Sequence, residues 1–120
     1  MAELISSPSR IKASGTLEKI IEEYVGAVNT STKGVSIAVM TSPSGWVEPG
    51  QVPDFDEYSV VLKGTLMAEG RSSVICASAG QAIYSPRGEW VRYSTPGPEG
   101  ASYVAVCVPA FTHDTVHRDE

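Results

Sequence analysis

The residues with the most chemistry to offer crowd into one stretch, GWVEPGQVPDFDEYSVVLKGTL, Gly45 to Leu66. Carboxylates stand at Glu48, Asp54, Asp56 and Glu57, with the amide of Gln51 among them. Carboxylates on a loop can recruit a hard cation, although most are simply solvated. Glu57 differs because it opens an alternating run, EYSVVL, and so belongs to a strand whose same-face neighbours are Ser59 and Val61. A carboxyl held in an apolar cavity is pushed towards neutral pH, where it can act as general acid or base.

Other reactive residues carry weaker signals. His113 and His117 form HDTVH, an i, i+4 pair that could grip a metal on a helix. The segment is short and terminal, with Thr and Val between the imidazoles, and reads as a solvated tail. In a sharper variant this arm crosses to a partner and sets His117 at the mouth of the partner's barrel. Cys76 and Cys107 lie in the apolar runs SSVICAS and VAVCVPAF and read as free buried thiols of a reducing compartment, inert rather than nucleophilic. Neither GTLMAEG nor GPEGAS has the strand–loop–helix context of a phosphate cradle.

The elements that must position these residues read as strands. From Gly34 onward, short apolar runs are broken by SPSG, EGRSS, SAGQ, SPRG and TPGPEG, turn chemistry that recurs about every 8–12 residues and indicates an all-β barrel or sandwich. Strands are expected near GVSIAVMTS, GWVEP, EYSVVLKGTLMAEG, SSVICAS, QAIYSP, WVRYSTP and ASYVAVCVP. Ahead of them, residues 1–14 read as an irregular arm. In GTLEKIIEEYVGAV, Leu17, Ile20, Ile21, Tyr24 and Val25 fall at helical spacing and predict a short amphipathic helix. One domain over 1–120 is expected, with an arm and helix over 1–33, a barrel over 34–109 and a tail over 110–120.

Composition narrows the function classes. The formal charge is -5, with nine scattered Lys and Arg, which argues against a phosphate-backbone binder and for no nucleic-acid partner. No run is long enough for a membrane helix, and MAELISSPSR lacks the basic and apolar regions of a secretory signal, so the expected location is cytoplasmic.

Two spacings carry a family resemblance. The first runs Gly45, five residues, Gln51, one residue, Pro53, three residues, Glu57, six residues, Gly64. The second runs Gly80, five residues, Pro86, one residue, Gly88, two residues, Val91, three residues, Thr95. Both glycine–proline frames resemble the paired signature motifs of the cupin superfamily, without insertion. The resemblance implies a double-stranded β-helix, or jelly-roll barrel, and the homodimerisation common among small cupins. In metal-binding cupins the positions of Gln51, Pro53, Glu57 and Val91 carry His, His, Glu and His. Only Glu57 keeps a strong ligand type, so the site is expected to work without a cofactor. Strand texture and the VPAF ending are also similar to the cupin domains of ethanolamine-utilisation proteins.

On that frame the inward face of the second motif comprises Glu89, Val91, Tyr93 and Thr95, with Gln51 and Pro53 entering from the preceding segment. The expected function is binding or transforming a small polar metabolite, with Glu57 as acid or base. Gln51, Tyr93, Tyr84, Glu89 and Arg92 are the candidate ligand contacts, and Arg92 is alternatively a structural partner of Glu57. A second reading is a metal-dependent oxygenase or sugar isomerase, its divalent transition metal held by Gln51, Glu57, Glu48 and His117. A third is a non-catalytic binding or structural dimer.

Overall fold

The computed structural model describes residues 1–119. Among them run nine strands: β1 Ser9–Ile11, β2 Ile20–Val25, β3 Ser36–Ser42, β4 Trp46–Val47, β5 Asp56–Glu69, β6 Val74–Ser78, β7 Ala82–Ser85, β8 Arg92–Thr95 and β9 Ala101–Val108. All pairings are antiparallel, in the order β1-β2-β3-β9-β5-β8-β4, with β6 and β7 also paired to β5. All seven expected strands are present. Among the described residues no helix is long and apolar enough to cross a membrane.

The expected N-terminal helix is absent. Ile20–Val25 is strand β2, paired to β3 from Ile20↔Thr41 to Val25↔Ile37 and to β1 on its other edge. Ile20, Ile21 and Val25 are β-branched and pack well on a pleated surface, and the exposed edge of β3 supplies the missing hydrogen bonds. Burial alternates along β2, with Ile21 and Glu23 turned inward.

The same alternation builds the interior. β9 buries Ala101, Tyr103, Ala105 and Cys107, β3 buries Ser36 and Ala38, and the first half of β5 buries Glu57, Ser59 and Val61. One apolar cluster centres on Trp46, Val61, Leu66, Ile83 and Tyr103, and a second joins Phe55, Cys107 and Val116 with Phe111 against them. Cys76, expected to be buried, is exposed on β6.

The 14-residue strand β5 serves two walls. Its first half pairs with β7 and β9, and its second half with β6 and β8. The register shifts between Val61 and Lys63, next to Gly64 at φ +76°. Gly64 therefore bends a continuing strand. A Cβ there would run into the Gly100 carbonyl, so only glycine meets both the φ and the close approach. Gly64→Ala is predicted to lower stability by more than about 2 kcal/mol, read as a shift of the urea unfolding midpoint.

Candidate functional site

The two motif frames meet at one end of the barrel. Gln51 and Val91 form an isolated antiparallel bridge, with reciprocal N–H to carbonyl bonds of 2.9 Å. Pro53 is fully buried beside them, and its carbonyl accepts from the Gly88 amide at 2.8 Å. Glu57 enters from β5, whose residue 57 pairs with Ser85 on one side and Cys107 on the other.

Gln51 and Glu57 line a cavity of about 60 Å³ together with Lys19, Glu23, Glu48, Ser59, Tyr93, Tyr103 and Arg118. Three carboxyls thus face one interior. Burial raises Glu57, the neighbouring Glu48 charge raises it further, and Lys19 and Arg118 only partly oppose this, leaving it at about 7. Glu48 is raised by burial and held back by Lys19 and Arg118. Glu23 is raised by burial against the backbone N–H groups of Val28 and Asn29.

The cations come from the two ends of the chain. Residues 14–19 cross the barrel end, where Thr16 donates to the Val47 carbonyl at 2.9 Å and the Trp46 indole donates to the Ser14 carbonyl at 3.1 Å. This places the Lys19 ammonium 4.0 Å from the Trp46 ring centre and 5.2 Å from that of Tyr103. Burial alone would lower Lys19, but Tyr103 and Glu48 outweigh it and keep the ammonium charged. From the other end, the Val52 amide donates to the His117 carbonyl at 3.1 Å, and the Asp119 amide to the Gly50 carbonyl at 2.7 Å. Arg118 lies between them, its guanidinium carbon 5.6 Å from the Phe111 ring centre. Among the described residues, Gln51 Oε1, Ser59 Oγ, the Tyr93 hydroxyl, Glu23 Oε2 and Arg118 Nε are buried without a protein hydrogen-bond partner, a costly condition for a polar group that stays unmatched.

Several expected site residues stand elsewhere. Tyr84 is exposed, stacked on Tyr58 at 4.9 Å and donating to Asp56 at 3.4 Å. Glu89 is exposed in the turn before Trp90 rather than on the inward face of β8. Arg92 points away from the barrel and clasps Glu69 at 2.6 Å, so it is not the partner of Glu57. Asp56 is committed to Arg87 at 3.0 Å. The tail is not simply solvated, because Val116 is buried in the second apolar cluster. His117 faces outward to Asp54 at 2.7 Å and supplies no imidazole to the interior.

Sequence reasoning missed Lys19, Glu23, Tyr103 and Arg118. The first two were available from the alternation Lys19, Ile21, Glu23, once that segment is read as a strand. The cupin metal does not fit this donor set. Among the described residues no group of three His, Cys, Asp or Glu is arranged to hold an ion. The positions of Gln51, Pro53, Glu57 and Val91 offer one carboxylate and one amide, a poor set for a first-row metal.

No protein-family model matches the chain. Its fold is that of the cupins, the double-stranded β-helix. It superposes on a variant of oxalate decarboxylase from Bacillus subtilis with a TM-score of 0.78 at 16% identity, over 96% of this chain and 31% of that one. A predicted oxalate decarboxylase from Thermotoga maritima gives 0.72 at 19% identity, over 91% and 99%. A putative ethanolamine utilization protein Q from Salmonella typhimurium gives 0.63 at 17%, over 87% and 97%. In sequence the chain is similar to a Myxococcus xanthus protein named endoribonuclease YbeY, 46% identical over 103 residues, which are 84% of this chain and 34% of that protein. The chain therefore spans about a third of the length of the curated relative it matches.

That relative overturns two expectations, a function confined to a small polar metabolite and the absence of a nucleic-acid partner. The charge of -5 misled because an electrostatic footprint belongs to the surface that meets phosphate. The relative has two thirds of its chain outside the matched part.

Glu57 yields a prediction with a definite sign. Its ordinary value is 4.5 and its folded value about 7, so between these the folded chain holds the extra proton. The stability it contributes is complete below pH 4.5 and is lost as pH rises through 7. Wild type should lose roughly 3 kcal/mol more than Glu57→Gln between about pH 4.5 and about pH 8, measured as the difference in urea unfolding free energy across that range.

Proposed function

We propose that this chain serves RNA cleavage as the cupin-barrel module of an endoribonuclease, acting beside the cutting centre rather than supplying it. The observation that carries this reading is the 46% identity over 84% of the chain to a third of a protein named endoribonuclease. A match of that extent covers one barrel and leaves two thirds of the relative for other work.

The site's dimensions favour an accessory role. A cavity of about 60 Å³ has room for a few waters, whereas cleavage needs a strand drawn past the reacting groups. Acids also outnumber cations in the interior, which opposes a phosphodiester there. The groups present are suited to a base rather than a backbone. Glu48 and Glu57 accept hydrogen bonds, Lys19 and Arg118 donate them, and Tyr93 and Tyr103 offer rings, the means by which an unstacked nucleotide is held. In this reading the barrel engages one splayed nucleotide when its mouth opens, and Glu57 changes charge within the neutral range.

The test uses the Myxococcus xanthus relative with its matched third intact, deleted, or replaced by this chain, on labelled structured RNA. The expected results are altered cleavage rate or site choice on deletion, restoration by replacement, and no cutting by this chain alone. Cleavage by this chain alone, abolished in Glu57→Gln, would show a self-contained nuclease. Deletion without effect on rate or site would remove the RNA role.

A further inference from the structure

We propose that the C-terminal residues His117–Asp119 are a gate over the barrel site, hinged at Val116 and latched by two exposed contacts. The cavity of about 60 Å³ is narrow, and a larger group would enter most readily where a wall can move. Most of the wall is strand, tied on both edges by ladder bonds. The N-terminal crossing is tied by Lys19, set over Trp46 and Tyr103, and runs straight into β2. The C-terminal crossing belongs to no named strand and is exposed at His117 and Asp119, and elements with few buried contacts open first.

Its construction separates a fixed part from a moving part. Thr112 and Thr115 bond one another through both hydroxyls and backbone amides, and the Asp54 amide donates to the Thr115 carbonyl at 2.9 Å. Val116 is then buried among Phe55, Cys107 and Phe111, a pivot anchored in the second apolar cluster. Beyond it, two backbone bonds, Val52 to His117 and Asp119 to Gly50, lay the strap down. The side-chain latches are His117 to Asp54 at 2.7 Å, both more than half exposed, and the Trp90 indole to Asp119 at 2.9 Å. His117 sits at φ +49°, a left-handed conformation that a residue with a Cβ adopts with strain. Lifting these three residues withdraws Arg118 from the cavity wall.

Gly50 completes the device. A Cβ there would meet both the Trp90 ring and the Asp119 carboxylate, so glycine is what lets the latch seat. Gly50→Ala should wedge the strap open while leaving the strands in place. The gate stands on contacts within this chain, and none of its readouts involves RNA, so its failure would remove this route into the barrel and leave the accessory role in RNA cleavage to its own test.

The experiment is amide hydrogen exchange on the intact chain, with carbodiimide labelling of Glu57 as the measure of access. In Gly50→Ala, and in the double variant Asp54→Ala with Asp119→Ala that spares the backbone, the Val52 and Asp119 amides should exchange at least about fivefold faster. The Asp54 amide, at the hinge, should hold its wild-type rate, and Glu57 labelling should rise in step with the released amides. Two results would overturn the gate. One is exchange of Val52 and Asp119 only at the rate of global unfolding in every variant. The other is faster exchange with no gain in Glu57 labelling.

Discussion

Carboxyl groups inside a small apolar barrel are the constraint on which the rest of this structure depends. An ionised carboxylate withdrawn from water is costly unless it is paired, hydrogen-bonded or neutralised. Glu23, Glu48 and Glu57 all face the interior. The chain answers in two ways. Glu57 is pushed up to about 7 by burial and by Glu48, so that neutrality is available near physiological pH. Lys19 and Arg118 bring positive charge from opposite ends of the chain. The aromatic rings of Trp46, Tyr103 and Phe111 receive those cations where full hydration is lost. The two crossings of the barrel end are thus part of the electrostatics of the site, and removing either would leave buried acids short of countercharge.

The barrel holds this arrangement by keeping the frame of the cupin motifs and changing what it carries. Gly64 lets one strand serve two walls, and the bridge between Gln51 and Val91 draws the two motifs together. Those positions would present imidazoles in a metal-binding relative. Here they offer an amide and an isopropyl group, and the polar work passes to Glu48 within the first frame and to Lys19 and Arg118 from outside both.

Much of the fold was legible because its signals are local. Turn clusters such as SPRG and TPGPEG marked the strand breaks, and the glycine–proline spacings located Glu57 and Gln51 at the site. The segment Leu17–Val25 satisfied two periods at once. Its apolar residues fit a helix, while Lys19, Ile21 and Glu23 fit a strand, and only the free edge of β3 decides between them. Arg118 was hidden for a related reason. Its position follows from bonds to Gly50 and Val52, far back in the chain, and a polar terminal sequence carries no local trace of such pairing. Glu89 was misplaced by extending strand alternation back through the turn before β8, where the two-residue period no longer holds, whereas Tyr84 and Arg92 lie on the outward phase of their own strands, next to the buried Ile83 and Tyr93.

The charge balance that argued against RNA describes this chain's composition and not the surface of a larger ribonuclease that it resembles in part. The electrostatic account of the barrel depends on whether its central acid changes charge in the neutral range. The direct measurement is the titration of Glu57 by carbon-13 NMR of the side-chain carboxyl, assigned by its loss in Glu57→Gln. A midpoint near 7 is the predicted result, with Glu48 moving in response. A midpoint near the ordinary carboxylate value of 4.5 would contradict it, and would mean that the interior is open to water and that Glu57 is a plain solvated acid.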